Sequence, residues 1–79
     1  MKNVKILGSG CANCKRLEQN VRAVATKNNL ELEIEKVTDY AEIMKWPIMS
    51  TPGLVINDQL VSAGKIPNDQ QLLDWLMQA

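Results

Sequence analysis

Residues Gly8-Ser9-Gly10-Cys11-Ala12-Asn13-Cys14-Lys15-Arg16-Leu17 join a short apolar run to an amphipathic one and carry both cysteines of the chain. Upstream, Val4 to Leu7 reads as a strand that enters a glycine-bearing turn. Downstream, apolar residues recur three or four apart at Cys14, Leu17, Val21, Val24 and Ala25, while Lys15, Arg16, Glu18, Gln19 and Arg22 take the other face. That spacing predicts a helix, ended by Asn28-Asn29. A C-x-x-C pair thus sits at a strand-to-helix junction, where it can trade electrons, hold a metal or fill a core.

Beyond Asn29, Leu30-Glu31-Leu32-Glu33-Ile34-Glu35 alternates strictly, which predicts a strand with one wet face at a sheet edge, where glutamates discourage pairing with another chain. Asp39 to Lys45 reads as a short helix capped by Thr38 or Asp39 and stopped at Trp46-Pro47. Leu54-Val55-Ile56 and Leu60-Val61-Ser62-Ala63 flank Asn57-Asp58-Gln59, the signature of a hairpin. A last helix follows Gly64 and Pro67, with Asn68 as cap, Gln71 reaching back to it, and Leu72, Leu73, Leu76 and Met77 as its apolar stripe. The order is βαβαββα: an α/β chain with a four-stranded mixed sheet, its first two strands parallel through a helical crossover and helices on both sheet faces.

Composition narrows the function. At 79 residues and 8.8 kDa, the chain is expected to form a single domain over residues 1–79, with a small core and little stability to spare. It is 46% hydrophobic and 23% charged with zero formal net charge, and its cations are scattered, so no basic stripe offers itself to nucleic acid. No apolar run is long enough for a signal-peptide core or a membrane span, which gives a cytoplasmic expectation and no membrane partner. In that reducing compartment a lone cysteine pair points to catalysis or metal binding rather than a structural staple.

A C-x-x-C at a helix start makes its two thiols unequal. Cys11 lies where unpaired N–H groups and the helix dipole favour a thiolate, whereas Cys14 lies one turn inside and ionises less easily. Cys11 is then the nucleophile and Cys14 the resolving thiol of a dithiol–disulfide couple. Lys15 and Arg16 read first as solvated cations, with Lys15 the candidate for tuning the nucleophile's pKa. An inert pair is disfavoured because a cysteine at an exposed helix mouth is an oxidation liability.

Cys11-Ala12-Asn13-Cys14 after a first strand, Ser50-Thr51-Pro52 before a hairpin, and a closing helix together resemble the small thioredoxin-like, glutaredoxin-like redox-active disulfide proteins, over nearly the full chain. The resemblance implies a minimal thioredoxin fold and thiol–disulfide oxidoreductase activity carried by a Cys11–Cys14 disulfide, with no organic cofactor and no metal. It implies a cis Pro52 beside the disulfide, with the backbone of Thr51 pairing with an extended substrate. The partners implied are disulfide-containing proteins or small molecules and a reductase or dithiol donor of electrons, the chain acting as a monomer. Two departures stand out: Gly10 precedes Cys11 where larger thioredoxins have tryptophan, and Lys5 occupies the position of their buried acid. Cys14 then needs solvent or another group as its base, with Glu31, Glu33 and Glu35 as candidates although they read first as a wet face. Trp46, Ile48 and Met49 fit either core packing or an apolar docking rim, with packing preferred, and Trp75 reads as core.

The alternative is a soft-metal carrier, two thiolates holding Cu(I) or sharing Zn(II) with another chain. The small heavy-metal-associated domains that use such a pair run βαββαβ and carry methionine where this chain has Ser9. A third class, an adaptor that uses the scaffold alone, needs neither thiol.

Overall fold

The computed structural model describes residues 2–8, 10, 12–48 and 50–78. Strand β1 (Lys2–Leu7) begins two residues before the apolar run. Its alternation sends Val4 and Ile6 to one sheet face and Lys5 and Leu7 to the other.

Helix α1 (Ala12–Lys27) buries all five residues of the predicted stripe. It ends in a Schellman motif: Asn29 takes a φ of 55°, Leu30 N–H donates to the Ala25 carbonyl at 2.8 Å, and Asn29 N–H donates to that of Thr26. Strand β2 (Leu32–Val37) therefore starts two residues later than the alternation suggests, because Asn28 to Leu30 are consumed in closing the helix. It lies parallel to β1, from Lys2 opposite Leu32 to Leu7 opposite Val37.

Helix α2 (Tyr40–Ile43) is one turn long and capped by the Asp39 carboxylate, which accepts from Ala41 N–H at 3.0 Å. The helix expected to reach Lys45 stops early: Lys45 and Trp46 N–H donate to carbonyls three residues back, the tighter winding that often closes a helix ahead of proline. Strands β3 (Gly53–Ile56) and β4 (Gln59–Ala63) form the hairpin. Asn57 and Asp58, with φ of 49° and 66°, make a two-residue turn of the primed type, so Gln59 belongs to β4 rather than to the turn. Helix α3 (Asp69–Gln78) opens with the predicted reciprocal cap: Gln71 N–H donates to Asn68 Oδ1 at 2.8 Å, and Asn68 N–H donates to Gln71 Oε1.

The sheet order is β2-β1-β3-β4, with β3 antiparallel to both neighbours. One face carries the larger core, where Val4, Ile6, Leu54 and Ile56 meet Leu17, Val21 and Val24 of α1 and Leu72 and Leu76 of α3. The opposite face carries a smaller one of Leu7, Val55, Ile43 and Ile48, flanked by Val37, Trp46 and Leu60. Met77, expected in the α3 stripe, is 61% exposed: Leu73 already lies at the margin, and Met77 is one turn further along the same side. The order βαβαββα, the mixed sheet and the helices on both faces are as expected.

Candidate functional site

The C-terminal end of β1 delivers Gly8 beneath the start of α1, where Gly8 N–H extends the β1–β2 pairing by donating to the Val37 carbonyl at 2.9 Å. Cys14, on the inward face of the first turn, is 5% exposed. The space a side chain would fill at Gly8 is taken by Cys14: a Cβ there would overlap Cys14 Sγ, lie 3.3 Å from Cys14 Cβ and 3.8 Å from Thr51 Cβ. The missing side chain at Gly8 is thus what lets the sulfur pack there, with Thr51 alongside.

Because β3 runs antiparallel to β1, its entry lies at the same sheet end as the exit of β1, with Leu7 opposite Gly53. The residues before it, Thr51 and Pro52, are thereby brought to Cys14 across some 40 residues of sequence. The Thr51–Pro52 bond is cis, as the resemblance implies. Pro52 is fully buried and its carbonyl accepts from Gly64 N–H at 2.8 Å, while Thr51 is exposed. Cys11 and Met49 lie outside the described residues.

Two depressions flank this point. A groove of about 440 Å³ runs from Thr51 and Ser50 past Ile48 to Ile43, Met44 and Tyr40, with the last two largely exposed. Of the three residues considered for a docking rim, Ile48 is buried and lines this groove, while Trp46 packs half-buried against the smaller core beneath Lys5, whose Nζ sits 5.7 Å from its ring centre. Trp75 packs against the larger core.

A smaller cleft of about 80 Å³ opens on the α1 side, lined by Ile6, Gly10, Cys14, Lys15, Glu18, Lys36 and Thr38 among others. Lys15 is exposed at its rim. Lys5 is absent from this cleft, since it points to the other face and pairs with Asp58 at 3.7 Å. The glutamates of the alternating strand do not reach it either: all three are exposed, and Glu33 and Glu35 share the face of Asn3 and Lys5. The carboxylate beside Cys14 is Glu18, which the amphipathic pattern assigns to the wet face. Its side chain is only 17% exposed, with Arg22 Nε donating to Oε2 at 2.9 Å and Lys36 Nζ at 3.7 Å from Oε1. The signal for it was present in the sequence as the four-residue step from Cys14, which puts the two side chains on one helix face.

A family model described as a thioredoxin domain matches residues 2–77. A thioredoxin of Methanocaldococcus jannaschii is 36% identical over 73 residues, covering 92% of this chain and 84% of its own. A thioredoxin of Methanothermobacter thermautotrophicus is 29% identical over 72 residues, covering 91% and 94%.

Proposed function

The chain belongs to the thioredoxin family, and from that premise we propose that it is a thiol–disulfide oxidoreductase in which Cys11 is the nucleophile and Cys14 the resolving thiol. The observation that carries the reading is the meeting of Cys14, Gly8 and the cis Thr51–Pro52 segment at one end of the sheet. Cys11 immediately precedes the first residue of α1, a helix with no acidic residue in its first turn and with Lys15 and Arg16 following, so the local field favours a thiolate. Thr51 and Pro52 offer the edge on which an extended substrate lies while its disulfide is attacked. Exchange proceeds through a mixed disulfide and leaves a Cys11–Cys14 disulfide, which a separate dithiol donor or reductase returns to the dithiol in a reducing compartment such as the cytoplasm.

The soft-metal reading loses its fold support, since the observed order βαβαββα differs from the βαββαβ of heavy-metal-associated domains. A redox titration of metal-free protein in thiol buffers, read by alkylation and mass, tests the proposal. A reversible intramolecular disulfide with a midpoint between about −200 and −300 mV is expected. Failure to form it, with stoichiometric uptake of Cu(I) or Zn(II) by the reduced protein, makes the carrier the better description. Full biological activity after replacing both cysteines with serine identifies an adaptor.

A further inference from the structure

Resolution of a mixed disulfide requires the buried Cys14 thiol to lose its proton, and neither Lys5 nor the β2 glutamates are placed to take it. We propose that Glu18 receives this proton through a water in the cleft it shares with Cys14, making it the base for the resolving step. The inference rests on the exchange reading above and adds a residue to it.

Three features converge. The cleft is about 80 Å³, against the ~10–15 Å³ that one water needs, and Glu18, Lys36 and Thr38 supply the polar partners that would hold it. Glu18 is positioned: Arg22 occupies Oε2 with a hydrogen bond of 2.9 Å, which fixes the carboxylate on the helix. Its Oε1 stays available, because Lys36 Nζ at 3.7 Å is beyond hydrogen-bond length and a carboxylate oxygen has two acceptor sites.

The step balances as follows. The Cys11 thiolate attacks a substrate disulfide, forming a Cys11–substrate bond and releasing one substrate thiolate. Cys14 S–H then passes its proton through the water to Glu18 Oε1, and the Cys14 thiolate attacks the Cys11 sulfur. The intramolecular disulfide forms and the second substrate thiolate departs. The proton leaves Glu18 for that thiolate or for solvent; the substrate has gained two electrons and the cysteine pair has lost two.

The test follows the mixed disulfide formed when reduced full-length protein meets a model peptide disulfide, with acid quench and mass detection from pH 6.5 to 9.5. In Glu18→Gln its decay at pH 6.5 slows by at least about tenfold, within the range of general-base effects. The gap closes toward pH 9.5, where hydroxide deprotonates Cys14 directly. A purely electrostatic role predicts the reverse, since removing a negative charge beside a thiol makes its thiolate easier to form. Arg22→Gln, which releases the carboxylate from its anchor but keeps it beside the cleft, slows the decay less than Glu18→Gln does and keeps the wild-type pH profile. Decay in Glu18→Gln as fast as wild type or faster overturns the proposal and leaves the exchange reading intact, as does an equal loss in Arg22→Gln. A wild-type protein that never forms the mixed disulfide overturns both.

Discussion

Alanine at Gly8 drives a methyl group into the Cys14 sulfur and to within 3.8 Å of Thr51 Cβ. Gly10, two residues on, has nothing within 4 Å of the same position but holds a φ of +81°. The two glycines therefore fail in different ways when substituted. Gly8→Ala is expected to lose about 1–3 kcal/mol to overpacking, read by urea denaturation, and to slow disulfide exchange by displacing Cys14 from Thr51. Gly10→Ala loses about 1–2 kcal/mol through backbone conformation alone, and Gly10→Asn recovers much of it because asparagine visits that region. Equal stability for the alanine and asparagine variants at position 10 contradicts this account. At this scale the cis Thr51–Pro52 bond and its place at the Cys14 end of the sheet were legible, because each belongs to a short motif of known spacing. The place of Glu18 in the cleft beside Cys14 was not, because a polar side chain on an amphipathic helix reads as solvated until the neighbouring strand that bears Lys36 is laid beside it.

Element boundaries divide along the same line. The Asn57-Asp58 turn, the Asn28-Asn29 stop and the Asn68/Gln71 cap could be read in advance because each is made by residues within a few positions of one another. The start of β2 and the end of α2 could not, since one depends on how many residues the Schellman motif consumes and the other on how the chain turns before Pro47. Met77 escaped for a further reason: helical spacing names the stripe but not where the sheet beneath it ends. The cap on α3 yields a direct measurement. Asn68→Ala removes the acceptor for Gln71 N–H and is expected to cost about 1 kcal/mol, or roughly 4–8 °C in Tm for a domain of this size. Asn68→Asp, which keeps an acceptor at the same place, should stay close to wild type.

On the scale of the whole molecule, the two faces of the sheet are unequally covered. Among the described residues, the face covered by α1 and α3 gathers nine buried apolar side chains from sheet and helices together, whereas the face closed by the single turn of α2 and the 44–48 segment gathers four. Local opening follows buried contact, so backbone amides of Leu54 to Ile56 should exchange with solvent only on global unfolding. Those of residues 40–48 should exchange far faster, through sub-global opening, as hydrogen exchange with mass detection would show; equal protection of the two layers contradicts this. The groove beside Thr51 is walled by that thinner layer, through Tyr40, Ile43, Met44 and Ile48. One sheet thus has a thickly packed back that keeps Cys14 in register and a thin front whose groove wall can shift without unfolding the rest.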